Sequence, residues 1–272
     1  MPKIERDGVK IYYEVHGDGP AMILTHGYSS TFEMWHGQIE ALSKRHKLIL
    51  WDMRGHGRSD YPQNLDAYSE ELTVGDIAAL LDEVGVECAI VGGLSLGGYM
   101  SLAFWRAHPE RVRALLIIGT GPGFKKAEAR EAWNRRALDT AERLERDGLA
   151  ALKLGSRERA GVTYRDAKGL ALAARGMLTQ RDARVIELLP EITVPSRGRR
   201  RGHAVPCGRR LHGGENTECE EDSDPERRTC GQYRPAAGLS RCATAVSREP
   251  AGGRVRRCHK RGNFQLKQMD DR

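Results

Sequence analysis

The sequence predicts an α/β fold, a mostly parallel sheet with helices on both faces. Two observations carry that prediction. Four short runs are almost continuously apolar, as strands covered on both faces must be, rather than alternating in and out. Those runs are separated by segments with helical spacing of apolar residues, the order that builds parallel strands joined by crossover helices. With 272 residues the chain is long enough for one sizeable domain.

The elements follow in order. Ala21-Met22-Ile23-Leu24-Thr25 is the first run and leads straight into His26-Gly27-Tyr28. Lys47-Leu48-Ile49-Leu50-Trp51-Asp52 is the second and leads into Arg54-Gly55-His56-Gly57-Arg58-Ser59-Asp60. Val74, Ile77, Leu80, Leu81 and Val84 then form one apolar stripe at helical spacing. Cys88-Ala89-Ile90-Val91-Gly92 reads as a short buried strand, and Tyr99-Met100-Ser101-Leu102-Ala103-Phe104-Trp105 as the helix after it. Pro109-Glu110-Arg111-Val112 precedes a fourth run, Arg113-Ala114-Leu115-Leu116-Ile117-Ile118-Gly119. Residues 125–190 are mostly helical in pattern, charged and alanine-rich.

Between the third run and its helix lies Gly93-Leu94-Ser95-Leu96-Gly97-Gly98. A G-x-S-x-G sequence on a strand, sharp turn and helix is the context of a nucleophile elbow. Glycines without Cβ let the turn tighten until the serine hydroxyl stands clear at its tip. Ser95 is therefore the candidate nucleophile; an ordinary Gly-rich turn is the plain alternative.

With the His26-Gly27 loop, the turn at residues 52–59, the elbow at Ser95 and the Pro109-Glu110-Arg111-Val112 lead-in, residues 1–195 resemble an α/β-hydrolase fold protein of the lactonase, esterase and haloperoxidase-like branch. These motifs are specific for the fold and poor at naming a substrate. The resemblance implies that Ser95 attacks a carbonyl and that the oxyanion is held by two backbone N–H groups, those of Leu96 and Tyr28. Serine at the elbow argues against the family's aspartate-nucleophile dehalogenases and epoxide hydrolases. It leaves ester, lactone, thioester, C–C and perhydrolase chemistry open. The family's helical cap corresponds to residues 125–190, where Trp133, Leu138, Met177 and Leu178 are either pocket-lining or cap-to-core packing residues.

Other reactive residues receive structural roles. His26 belongs to the loop motif, and His56 sits in a glycine turn that Asp52 and Arg54 hold together. His36 and His46 read as surface residues beside a helix, and Cys88 as strand packing.

The resemblance fails after residue 195. A triad needs a base for the serine proton and an acid to orient it, and in this family both follow the cap. Ile192-Thr193-Val194-Pro195 resembles the start of the next core strand, but Ser196-Arg197-Gly198-Arg199-Arg200-Arg201-Gly202 does not read as a buried strand. Residues 196–272 hold eight Val, Ile, Leu, Met, Phe or Trp residues, too few for a core, and the composition is that expected of disorder. They carry 18 Lys+Arg against 10 Asp+Glu, leaving 26 against 27 for residues 1–195, so the net charge of +7 arises in the tail. Five of the six cysteines (Cys207, Cys219, Cys230, Cys242 and Cys258) also lie there.

Three readings of the tail compete. A basic arm for nucleic acid lacks a recognisable module and aromatics for stacking. A metal site lacks any close Cys pair. The third reading is a shifted reading frame, and the genetic code favours it. One nucleotide further on, residues 196–205 can encode LVVVGADTPF, an apolar strand ending in Gly-Ala-Asp. Gly202-His203 as GGA-CAC contains an aspartate codon, and Thr229-Cys230 as ACA-TGC contains a histidine codon. These resemble the missing triad elements, so the frame is expected to shift near Ser196. Without the last two strands, the run at residues 113–119 would become an unpaired edge. The chain as written is then expected to fold poorly and have little activity. The tail residues His203, His212 and His259 have no reason to stand beside Ser95.

The expected function is hydrolysis of a small carboxylic ester or lactone through an acyl-enzyme. The rival is a non-catalytic or degenerate hydrolase-like protein with a basic tail. No cofactor or metal is called for, no specific nucleic-acid partner and no membrane partner is expected, and the oligomeric state is open. The N-terminus lacks the apolar core of a signal peptide, and only one cysteine lies in residues 1–195, so a cytoplasmic location is expected.

Overall fold

The first strands arise from a turn dipeptide. Asp7 and Gly8 both take positive φ, 53° and 73°, as a two-residue hairpin turn requires. They fold β1 (Lys3–Arg6) antiparallel onto β2 (Val9–His16). Neither strand is among the four runs identified above, although Asp-Gly ahead of an apolar stretch is the sequence signal for such a hairpin.

The four runs become β3 (Ala21–Thr25), β4 (Lys47–Trp51), β5 (Ala89–Leu94) and β6 (Val112–Ile118). The structure, a computed structural model, describes residues 2–152, 162 and 165–192, and the backbone alone of 196–199. Its sheet has the order β1-β2-β4-β3-β5-β6-β7, with β7 at Ser196–Arg199. β2 joins β4 antiparallel, and every pairing from β4 to β7 is parallel.

Both sheet faces are dry, for the reason the apolar runs suggested. Successive side chains point to opposite faces. Ile23, Ile49, Val91 and Leu115 pack on one side under α2 (Glu70–Glu83) and α3 (Leu96–Ala107). Met22, Leu24, Leu48, Leu50, Ile90 and Ala114 pack on the other with Phe32, Trp35 and Leu42, the last from α1 (His36–Ser43). Val74, Ile77, Leu80 and Leu81 are the buried stripe of α2. The Ser69 hydroxyl starts that helix by accepting from the Leu72 N–H at 3.1 Å.

β7 corrects one expectation. The composition after residue 195 predicts no buried core strand there and leaves β6 as an unpaired edge. Instead the backbone of Ser196–Arg199 pairs in parallel with β6, Leu115 opposite Ser196 through Ile118 opposite Arg199. Ladder bonds use backbone groups, which every residue but proline supplies in full, so an open edge accepts a segment whose side chains do not advertise a strand. The tail from residue 200 onward, with its expected disorder, lies outside the described residues, as does the lead-in at 193–195.

A helical layer follows β6: α4 (Ala127–Asp147), α5 (Ala167–Ala173), a π-helical turn at Ala174–Leu178, and α6 (Arg184–Glu187). Ala141, Leu144, Leu152, Leu170, Ala171 and Ala174 form its own small core. Among the described residues no helix is long and apolar enough to cross a membrane.

Candidate active site

Two parallel neighbours, β3 and β5, end side by side, and the loops beyond their carboxyl ends form the site. This is where open α/β sheets bind ligands. Ser95 follows β5 with φ 50° and ψ −117° and heads α3. A non-glycine residue there is strained, and such strain concentrates at functional positions. The side chain is exposed, while Leu96 behind it is buried.

The turn is tight because β3 crosses close beneath it. A Cβ on Gly97 would fall 2.3 Å from the Thr25 carbonyl oxygen and 2.6 Å from that of His26. A Cβ built on Gly27 would lie 3.7 Å from the Ser95 Cβ, which puts the loop carrying Tyr28 against the candidate nucleophile. The structure thus brings Ser95, Leu96 and the Gly27-Tyr28 loop together.

Two buried histidines shape that loop. His26 Nε2 accepts the Met53 N–H at 3.0 Å, so Nδ1 carries the proton and donates to the Gly27 carbonyl at 2.7 Å. His56 Nε2 accepts the Ser29 N–H at 3.1 Å, and its Nδ1 donates to the Arg54 carbonyl at 2.9 Å. Both rings have each nitrogen engaged, so neither is placed to act as a base. Burial holds His26 well below the usual histidine range and pulls His56 down to about 4. Although His26 Nε2 lies 3.9 Å from Asp52, a neutral ring forms no ion pair there. Asp52 instead accepts the Phe32 and Arg58 N–H groups, each at 2.8 Å, and burial pushes it up to about 7 despite those donors.

These groups set an acid sensitivity. The folded-state values of His26 and His56 are depressed below the unfolded value of about 6.5, so their contribution is present above that pH and lost below it. Asp52 is raised, so its contribution is present below about 3.9 and lost as pH rises through about 7. Between about pH 4 and 6.5 the unfolded chain binds two extra histidine protons and the folded chain one extra carboxyl proton. Two histidine protons outweigh one carboxyl proton, so stability should fall as the pH is lowered through that window. Urea unfolding at pH 6.5 and 5 measures this; equal midpoints would refute it.

Arg54 departs from its expected role. It does not close its turn with Asp52 but reaches Asp76 on α2, Nε to Oδ2 at 2.7 Å and Nη2 to Oδ1 at 2.8 Å. Asp76 carried no motif and was legible only once α2 was packed on the sheet. His36 is exposed as expected, but His46 is buried and lies 3.1 Å from the Pro20 carbonyl. The segment just before β3 folds over it, a long-range contact that a helix-end position does not reveal. Cys88 is half-buried just before β5.

Of the expected pocket residues, Met177 is buried in the main core, and Trp133 donates its Nε1–H to the Leu178 carbonyl at 2.8 Å. Leu138 and Leu178 are half-buried. Trp133 also lies 6.0 Å from Phe124 between ring centres. Among the described residues, no acid or base hydrogen-bonds the Ser95 hydroxyl. His203, His212 and His259 lie outside them.

Comparison with known proteins adds the family. A family model described as alpha/beta hydrolase fold matches residues 20–156. A protein of Azorhizobium caulinodans that carries the name carbamate hydrolase RutD as a provisional assignment is 35% identical over 144 residues, covering 53% of this chain and 51% of that one. The bifunctional epoxide hydrolase 2 of Sus scrofa is 32% identical over 116 residues, 42% of this chain and 21% of that one. The chain thus spans about half or less of the length of these curated relatives. Among solved structures, an esterase from Thermogutta terrifontis superposes with a TM-score of 0.60 at 26% identity, over 73% of this chain and 79% of that one.

Proposed function

Because the chain belongs to the alpha/beta hydrolase fold family, we propose that it is built to hydrolyse a small carboxylic ester or lactone with Ser95 as nucleophile. The observation that carries this reading is the strained serine at the head of α3, exposed and packed against the Gly27-Tyr28 loop. Ser95 Oγ bonds to the carbonyl carbon and yields its proton to a base. The carbonyl electrons move onto oxygen, where the Leu96 and Tyr28 N–H groups receive the negative charge. The C–O bond to the leaving group then breaks, and that group takes the proton. Water reverses the sequence and frees the acid. Such chemistry needs no cofactor. The Sus scrofa epoxide hydrolase shares the fold, but a serine at the elbow favours acyl transfer over the aspartate chemistry of that branch.

Residues 125–190 act in this reading as the cap that shapes the substrate pocket. The acid and base belong to a continuation in the next reading frame from about residue 196. A cytoplasmic, membrane-free enzyme acting on a small molecule fits the sequence of residues 1–195.

A second reading is favoured by one observation, the absence of a base on Ser95 among the described residues: the chain as written is a non-catalytic relative. A fluorophosphonate probe separates the two. Labelling that disappears in Ser95→Ala supports the hydrolase reading, whereas no labelling of the written chain, together with none of a frame-corrected chain, would sink it. Esters, lactones and thioesters offered to the corrected chain then identify the bond cleaved.

A further inference from the structure

We infer that residues 119–124, the loop leaving β6, are the adjustable wall of the site: they receive a substrate group that extends away from the oxyanion and set how bulky an uncharged group is accepted. The inference rests on the assignment of Ser95 as nucleophile, with the Leu96 and Tyr28 N–H groups as oxyanion donors. It adds which side of the site selects the substrate.

The sheet order places this loop. β5 lies between β3 and β6, so Ser95 at its end has one loop on either side. The Ser95 N–H donates to the Ile118 carbonyl at 2.9 Å, which sets Gly119 beside the candidate nucleophile. A Cβ built on Gly98 would lie 2.5 Å from Thr120 Cγ2, so the loop runs on along the first turn of α3. On the opposite side stands the Gly27-Tyr28 loop. The carbonyl oxygen of a bound ester points there, toward its two donors. The acyl and leaving groups diverge from that oxygen as the attacked carbon becomes tetrahedral. One of them is therefore directed over the β6 loop.

The two walls differ in how they are held. On the β3 side, the Gly27 carbonyl accepts from His26 Nδ1 and from the Ser30 N–H, and the Ser29 N–H is held by His56. The Tyr28 hydroxyl donates to the Leu170 carbonyl at 2.8 Å. On the β6 side, no backbone–backbone hydrogen bond among the described residues engages residues 119–124. The Thr120 hydroxyl reaches only the neighbouring Gly121 carbonyl at 3.2 Å, and Arg130 Nη1 donates to the Phe124 carbonyl at 3.3 Å. Gly119-Thr120-Gly121-Pro122-Gly123-Phe124 is half glycine, with Gly119 at φ 56° and Gly123 at φ 103°. A glycine backbone with so few bonds rearranges at low cost. A partner for a second arrangement is in place. Gln180 is 9% exposed, its Oε1 has no hydrogen-bond partner among the described residues, and a Cβ built on Gly123 would lie 2.9 Å from it. A buried acceptor left unfilled favours any rearrangement that brings a loop N–H to it. The loop carries no ionisable side chain and ends with Phe124 against Trp133, so it suits uncharged groups.

Ethyl and cyclohexyl fluorophosphonates, applied to the full-length chain in its written and frame-corrected forms, read the wall through Ser95. A Cβ at position 121 meets nothing within 4 Å, so Gly121→Ala removes backbone freedom without a clash. The ratio of cyclohexyl to ethyl labelling rates should fall about two- to fivefold in that variant, the scale of the freedom lost between glycine and alanine. An unchanged or raised ratio overturns the adjustable wall. Hydrogen exchange of the unsubstituted chain, read by mass spectrometry, gives a second test that needs no labelling. Residues 119–124 should exchange at least about tenfold faster than residues 26–31, the scale of one hydrogen bond; equal protection of the two loops overturns the proposal. If neither probe labels either form, the assignment of Ser95 fails and the loop's substrate role falls with it, whereas labelling with an unchanged ratio removes the wall alone.

Discussion

Replacing Asp76 with alanine should cost about 3–5 kcal/mol of folding stability, the usual consequence of removing one partner of a buried ion pair. The Asp76 carboxylate takes two bonds from Arg54 and a third from Arg6 Nη1 at 2.8 Å. The side chains of Arg54 and Asp76 are each only 1% exposed. Without Asp76, the Arg54 guanidinium keeps the Ala67 carbonyl at 3.4 Å and Asp7 at 3.7 Å, poor compensation for a buried charge. Against a domain stability of about 5–15 kcal/mol, the loss approaches unfolding. Its effect also reaches the site: Arg54 anchors the turn that holds His56, and His56 holds Ser29. Urea unfolding of the variant at pH 7 measures the cost; a change below about 1 kcal/mol would mean the pair is dispensable.

Removing one nucleotide near the codon for Ser196 should raise ester hydrolysis by on the order of 10⁶-fold, the scale on which a serine hydrolase loses activity when its histidine is removed. A serine hydroxyl is a weak nucleophile until a base accepts its proton. His26 and His56 both have their ring nitrogens committed to the backbone. The corrected chain would carry the Gly-Ala-Asp and Gly-His segments that the code permits in the next frame, and hydrolysis of p-nitrophenyl acetate by the two chains compares them directly. Loss of the gain in Ser95→Ala would tie it to the elbow. A corrected chain no faster than the written one would remove the frame shift from the account of this protein.

The fold of the first half was largely legible because its signals are local. Each apolar run is a strand, and the stripe from Val74 to Leu81 is the buried face of a helix. The elbow was legible for a similar reason: a strand, two close-approach glycines and a helix leave the residue between them little conformational choice. The hairpin at Asp7-Gly8 had a signal too, but its strands, polar on one side, do not resemble the doubly buried runs.

What the sequence determined by itself was the order of the four apolar strands, the helices at the Val74–Leu81 stripe and after Ser95, the position of Ser95 at a turn, and the change in composition at residue 196. These depend on covalent neighbours and on the periodicity of burial. Tertiary structure alone decided which groups meet across the fold. It paired Arg54 with Asp76 rather than within its own turn, buried His46 against the Pro20 carbonyl, and hung Tyr28 from Leu170. It also laid Ser196–Arg199 along β6, because an open row of backbone donors and acceptors selects for the chain within reach and not for its side chains. Such contacts follow from packing the helices on the sheet, where a buried charge or carbonyl takes whichever partner the geometry delivers.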